Sequence, residues 1–269
     1  MLARISVLSC ALALLAGVTR AQPPDQQAAQ NAAQQPAQNA AQQTADPRAQ
    51  IASKIPGTHA EDLHPTPVPG IYELTRGTEI AYVTADGKYA ISGDLIDLAK
   101  NDNLTETHRR ELRAKLLGAI PESEMLVFGP RDPKYTVTVF TDVDCPYCRQ
   151  FHKQIAEFNN AGIAVNYVLF PLDIHPGADK KASALWCAAD RNAAYTAAMG
   201  GHDPGTATCT NPIAETKALA ISLGINATPT VLAEDGTTVD GSKAANPALL
   251  LAELDRLAAA HAKANVAAR

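Results

Sequence analysis

Between Val68 and Gly93 the apolar positions come in short runs broken by turn residues. Ile71-Tyr72-Glu73-Leu74, Glu79-Ile80-Ala81-Tyr82-Val83 and Lys88-Tyr89-Ala90-Ile91 each predict a strand. Asp86-Gly87 between the last two predicts a tight hairpin, because that dipeptide accepts the positive φ such turns require. The unit at 51–103 is small and sheet-rich, too short to bury much of its own surface, so it needs a partner surface. From Thr105 to Leu117 the pattern changes to a charged amphipathic helix with Leu112, Leu116 and Leu117 at helical spacing. Gly118 and Pro121 end it, and the stretch 104–121 reads as a connector.

A second domain is expected over 122–269. Tyr135 to Phe140 is rich in β-branched residues and predicts a strand. A helix opens at Cys145, carries Phe151, Ile155 and Phe158 on one face and stops near Gly162. Ile163 to Phe170 is a second strand, closed by Pro171. A strand–helix–strand order implies a right-handed crossover and a parallel pair. Asp179 to Met199 and Pro212 to Leu223 are expected to be helical. Thr230–Ala233 and Thr237–Val239 form a hairpin across Asp235-Gly236. Asn246-Pro247 opens a last helix with Leu250, Leu254 and Leu257 inward. The class is α+β.

The first residues read differently. Arg4, an apolar run from Ile5 to Val18 and small residues near Ala21 fit a cleaved export signal at 1–21; the run is short for a spanning anchor, the alternative reading. Gln22 to Gln50 is almost all Gln, Ala, Asn and Pro and reads as a disordered spacer or weak helix. Removing 1–21 takes away Arg4, Arg20 and Cys10, so the net charge moves from −5 to −7 and four of five cysteines remain. An even cysteine count in an exported chain points to disulfide chemistry. The acidic balance, with no basic stripe, argues against a nucleic-acid partner.

Chemistry concentrates at Cys145-Pro146-Tyr147-Cys148. The nucleophile in thiol exchange is the thiolate, so the site must lower a thiol pKa. A helix N-terminus does so through its free N–H groups and its dipole. Cys145 at the N-cap, with Pro146 at the first helical position, takes that place and attacks; Cys148, one turn inside, resolves. A zinc site would need further ligands, and no second Cys-x-x-Cys or paired histidines supply them. No metal or cofactor is implied. His152 follows Cys148 by four residues and is either a core histidine or a group that tunes the thiol pKa. Cys187 and Cys209 either bridge or stay as free thiols. Thr228-Pro229 is either a cis proline beside a bound extended peptide or an ordinary strand start.

Phe140-Thr141-Asp142-x-x-Cys145-x-Tyr147-Cys148, Trp186-Cys187-Ala188 and Gly224-Ile225-x-x-Thr228-Pro229 resemble the DsbC/DsbG disulfide isomerases of the bacterial periplasm. Pro67-Val68-Pro69-Gly70 and Tyr82-Val83-Thr84-Ala85-Asp86-Gly87-Lys88 extend the resemblance to the small domain. It is closer to DsbC, because the second cysteine pair is present. The resemblance implies a thioredoxin-like catalytic domain with a helical insertion, and a small N-terminal domain that makes a homodimer. It implies that Thr228, a cis Pro229 and Tyr147 meet the substrate, and that Cys187–Cys209 is a structural disulfide. It implies misfolded exported proteins with wrong disulfides as substrates, and a DsbD-like membrane reductase that keeps Cys145 and Cys148 reduced. A periplasmic thiol oxidase and a redox-independent chaperone are the competing functions. Pro146 stands where the family commonly has Gly. The acid that thioredoxins bury below the cysteines has no counterpart here, since the matching strand position is Val139.

Overall fold

Strand β1 (Leu63–Pro65), β2 (Ile71–Arg76), β3 (Glu79–Thr84) and β4 (Ala90–Ile91) form an antiparallel sheet in that order in the computed structural model, which describes residues 46–267. The export signal at 1–21 and most of the spacer lie outside the described residues. The end of the spacer does not stay irregular: Arg48–Ala52 is a short helix, α1, because Ile51 is apolar enough to be buried with Leu63 and Val83. Only these three residues are buried in that cluster, in keeping with the small core expected of so short a unit.

A two-stranded ribbon of β5 (Ile96–Asp97) and β6 (Asp102–Asn103) leads into the connecting helix α2 (Leu104–Gly118). Asn103 caps it by accepting the Glu106 N–H at 2.9 Å. Leu117 is buried as its spacing predicts, but Leu112 and Leu116 are only half-buried. The buried side chain between them is Arg113, which donates to the Gly236 carbonyl at 2.8 Å, the Thr238 hydroxyl at 3.0 Å and Glu106 at 2.7 Å. A charged residue is buried when hydrogen bonds satisfy it, and hydrophobic spacing gives no sign of that.

The second sheet has the order β10 (Thr230–Ala233), β8 (Tyr135–Thr141), β9 (Ile163–Leu169), β7 (Leu126–Phe128). β8 and β9 run parallel and in register from Tyr135 opposite Ile163 to Thr141 opposite Leu169. The outer strands are antiparallel to them. Alternation sends Val137, Val139, Val165 and Tyr167 into the larger core and Phe140 and Val168 into a second core on the other face. The sheet is therefore covered on both sides, and the central strand β9 reads as a nearly continuous apolar run broken by Asn166.

Three elements depart from the sequence pattern. The helix expected from Cys145 to Gly162 is two helices, α3 (Pro146–His152) and α4 (Ile155–Asn160), separated at Lys153-Gln154. Phe151 and Phe158 still stack across the break, with ring centroids 4.6 Å apart. The long helix from Asp179 is likewise α5 (Ala178–Trp186) and α6 (Arg191–Met199), because Asp190 caps a new helix by accepting the Ala193 N–H at 2.9 Å. The hairpin across Asp235-Gly236 shrinks to one bridge, Leu232 to Thr238, since Asp240 caps the short helix α8 (Gly241–Ala244) almost at once. Helices α7 (Ile213–Ser222) and α9 (Pro247–Ala267) complete the fold. Among the described residues no helix is long and apolar enough to cross a membrane.

Candidate functional site

Thr141 is the last residue of the central strand β8, and the next three residues turn the chain toward α3. Asp142 fixes that turn. Its carboxylate accepts the Asp144 N–H at 2.9 Å and the Leu172 N–H at 2.8 Å, and it pairs with His175 Nδ1 at 2.7 Å. The Asp142 carbonyl also accepts the Cys145 N–H at 3.2 Å. Cys145 then takes the N-cap position with extended backbone, and Pro146 occupies the first turn. No acid stands in that first turn to oppose an anion.

The two sulfurs are not equivalent. The Cys145 thiol is pulled down to about 5, first by the Cys148 thiol that hydrogen-bonds it, with further help from the Thr228 side chain and the N–H groups of Cys148 and Tyr147. Its Sγ lies 3.2 Å from the Thr228 carbonyl. Cys148 is 1 % exposed, and burial together with the neighbouring sulfur drives its thiol strongly upward. The pair is thus divided into one sulfur that ionises readily and one that keeps its proton. Asp144, next to Cys145, would oppose the anion, but Lys181 at 2.7 Å and Arg149 at 3.5 Å offset its charge.

The Thr228–Pro229 peptide is cis and places Thr228 against both sulfurs. Tyr147 is exposed beside it. With Phe151, Pro229, Val231, Val239 and Ala244 it lines an open, mainly apolar groove of about 620 Å³.

His152 does not tune the sulfur as a cation. It is buried, with Nδ1 3.1 Å from the Tyr167 hydroxyl and Nε2 3.1 Å from the Thr196 hydroxyl. Burial lowers its pKa to about 4, so it is neutral at physiological pH and lends no positive charge. His175, Tyr167 and Tyr195 are polar groups near the site that sequence reading missed, and Asp142 stood in the motif without a role. The pairs Tyr167–His152, Asp142–His175 and Thr141–Tyr195 join residues 15 to 54 positions apart in the chain. A tyrosine in an Ala-rich helix was the one available signal for Tyr195.

Cys187 and Cys209 are joined in a disulfide with Cα atoms 5.7 Å apart and a separation of 22 positions in sequence. It ties the end of α5 to the irregular stretch before α7. Closing a loop of that size removes unfolded-state entropy equivalent to about 3 kcal/mol. The double variant Cys187→Ala/Cys209→Ala is expected to lose about that much in urea unfolding, and a loss under ~1 kcal/mol would mean the loop is ordered without the bridge.

Two family models match the chain: the disulfide bond isomerase protein N-terminal domain over residues 38–106 and the thioredoxin-like domain over residues 122–258. The thiol:disulfide interchange protein DsbC of Escherichia coli K12 is 37% identical over 186 residues, covering 69% of this chain and 78% of that protein. The DsbC of Dickeya dadantii is 32% identical over 200 residues, covering 74% and 82%. The DsbC of Pasteurella multocida is 33% identical over 199 residues, covering 74% and 86%.

Proposed function

The chain belongs to the DsbC family of thiol:disulfide interchange proteins, and from that premise we propose that it rearranges wrong disulfides in exported proteins of the periplasm, with Cys145 as the attacking sulfur. The observation that carries this reading is the division of the pair: a low-pKa sulfur at the leading end of α3, beside Thr228, backed by a buried protonated one. Cys145 thiolate attacks one sulfur of a substrate disulfide, forms a mixed disulfide and releases the other substrate sulfur as a thiolate. In isomerisation a different substrate thiol then displaces Cys145, and the pair leaves reduced. In reduction Cys148 displaces the substrate, and a membrane thiol reductase must restore the dithiol. Thr228, Pro229 and Tyr147 are the residues we assign to holding the substrate chain.

Two copies per molecule fit the small domain. β4 is the open edge of its sheet, and Tyr89, Ile91, Ile96 and Leu98 on or near it are 68%, 51%, 47% and 88% exposed. An unpaired edge beside exposed apolar side chains is a ready pairing surface. The apolar groove by Tyr147 also supports chaperone-type holding of unfolded chains.

The test is reactivation of scrambled ribonuclease. The parent restores activity with catalytic turnover, and Cys145→Ser loses it. Equal activity of parent and Cys145→Ser would end the reading. One observation favours an oxidase instead: a thiol as acidic as Cys145 stabilises the reduced pair and so makes its disulfide oxidising. The state of the pair in cells separates the two, since an isomerase is kept reduced and an oxidase is found as the Cys145–Cys148 disulfide.

A further inference from the structure

The inner sulfur, Cys148, poses a problem that Cys145 at the helix end does not. To release a trapped substrate, Cys148 must itself become a thiolate, in a place that disfavours charge. The strand position where an acid could assist holds Val139, which is fully buried in the apolar core. Besides Cys145, what faces Cys148 is the Asp142 main chain, the Thr141 hydroxyl and the Thr228 side chain. Thr141 Oγ1 lies 2.8 Å from the Tyr195 hydroxyl, and Thr141, Tyr195 and Cys148 are all buried. The Tyr195 ring packs against Tyr167, with centroids 4.7 Å apart, and against His152, at 4.9 Å. Phenylalanine would fill that space equally well. The hydroxyl is therefore a buried polar group that costs stability unless it is bonded, and the bond it makes is to Thr141.

Either oxygen of that pair could donate. A phenol is the better donor, and Thr141 has one proton to give. When Tyr195 donates to Thr141 Oγ1, the Thr141 proton is free to point at Cys148. We propose that Tyr195 is a positioning residue for disulfide exchange: acting through Thr141, it aims the Thr141 O–H at Cys148 Sγ and supports the anion that resolves the mixed disulfide. This rests on the reading that Cys145 forms that mixed disulfide. In the supported step, Cys148 thiolate attacks Cys145 Sγ. The Cys145–Cys148 bond forms and the Cys145–substrate bond breaks. The substrate sulfur leaves as a thiolate and takes up the proton that Cys148 gave away. The enzyme pair is oxidised by two electrons, and the substrate disulfide is reduced by two.

Dithiobis(nitrobenzoate) separates the two steps, because each releases one coloured thiolate. The experiment uses the full chain with Cys10→Ser, so that Cys145 and Cys148 hold the free thiols. The first release reports attack by Cys145, and the second reports resolution by Cys148. Tyr195→Phe is expected to keep the first rate and slow the second about 10-fold, the effect of misaiming the one charge-assisted hydrogen bond that Thr141 gives the Cys148 thiolate. Thr141→Val slows the second rate at least as much, and the double variant is no slower than Thr141→Val alone, because both act through one hydroxyl.

The pH profile of the second release moves to higher pH in Tyr195→Phe while that of the first stays in place. A purely structural role for Tyr195 would move neither profile. The titratable groups around Cys148 and Tyr195 that could shape these profiles are Cys145 at the N-cap of α3, His152 at its end, Asp142 after β8 and Tyr167 on β9. A second release as fast as the parent's in Tyr195→Phe, or additive slowing in the double variant, overturns the proposal. Absence of the first release in the parent would instead overturn the reading on which it rests.

Discussion

Below about pH 7 Cys145 alkylates faster than an ordinary cysteine, and above it more slowly. At pH 6 a thiol with a pKa of about 5 is almost wholly thiolate. An unperturbed one near 8.5 has roughly 300-fold less. Thiolate abundance is not the whole rate, because nucleophilicity falls with pKa. With a Brønsted slope of about 0.45, a drop of roughly 3.5 units costs about 40-fold. Cys145 therefore keeps an advantage of about 10-fold at pH 6, and the two effects cancel near pH 7. The rate should be flat from pH 8 to about 6 and halve near 5. Iodoacetamide labelling of the reduced chain, read by mass spectrometry at Cys145, measures this directly. A rate that climbs tenfold per pH unit up to pH 8 would show an ordinary thiol and remove the basis of the enzymatic reading.

The same shift carries a stability consequence. The folded pKa of Cys145 is depressed below its unfolded value. Its thiolate thus stabilises the reduced fold above the unfolded pKa, and that contribution is lost as pH falls through about 5. A Cys145–Cys148 disulfide has no thiolate and lacks this dependence. The reduced form should therefore lose stability relative to the oxidised form between pH 8 and pH 4.

Local rules made the centre of this site readable. A cysteine followed by proline at the start of an apolar-faced helix specifies an N-cap and a first turn, and those positions are occupied as the pattern requires. Likewise, a β-branched run on either side of that helix specifies a parallel pair. The features that escaped depend on partners far along the chain. Nothing near Asp142 in sequence points to His175, and nothing near Thr141 points to Tyr195. His152 has the spacing of a pKa tuner, yet its environment, set by Tyr167 and Thr196, makes it neutral. Arg113 lies among leucines at helical spacing and would be taken for a solvent-facing charge. It is buried because three acceptors meet it, two of them supplied by the second domain.

That buried arginine and the turn it meets are where a single substitution should do most to the architecture. The Gly236 backbone has φ +81°, and it lies flat on the connecting helix. A Cβ there would fall 2.0 Å from the Arg110 carbonyl oxygen and 2.6 Å from the Ala114 nitrogen. Both are helix backbone and cannot rotate away. Gly236→Ala therefore adds left-handed strain of about 1–2 kcal/mol to an overlap that only separation of turn and helix relieves. Separation in turn strips Arg113 of the Gly236 carbonyl and the Thr238 hydroxyl, leaving a buried guanidinium with Glu106 alone. Breaking such a set costs about 3–5 kcal/mol. Gly236→Ala is expected to lower the melting temperature by roughly 6–20 °C, from about 3–5 kcal/mol at about 2–4 °C per kcal/mol for a chain of this size. Arg113→Met, which keeps the stem and removes the charge, should fall short of that, since it leaves the turn seated. Cys145 labelling at pH 6 should survive in both variants, because α3 and Thr228 are untouched. Scrambled-ribonuclease reactivation should drop with the loss of a fixed helix. A Gly236→Ala chain melting within a degree or two of the parent would mean that the turn does not rest on α2 in solution.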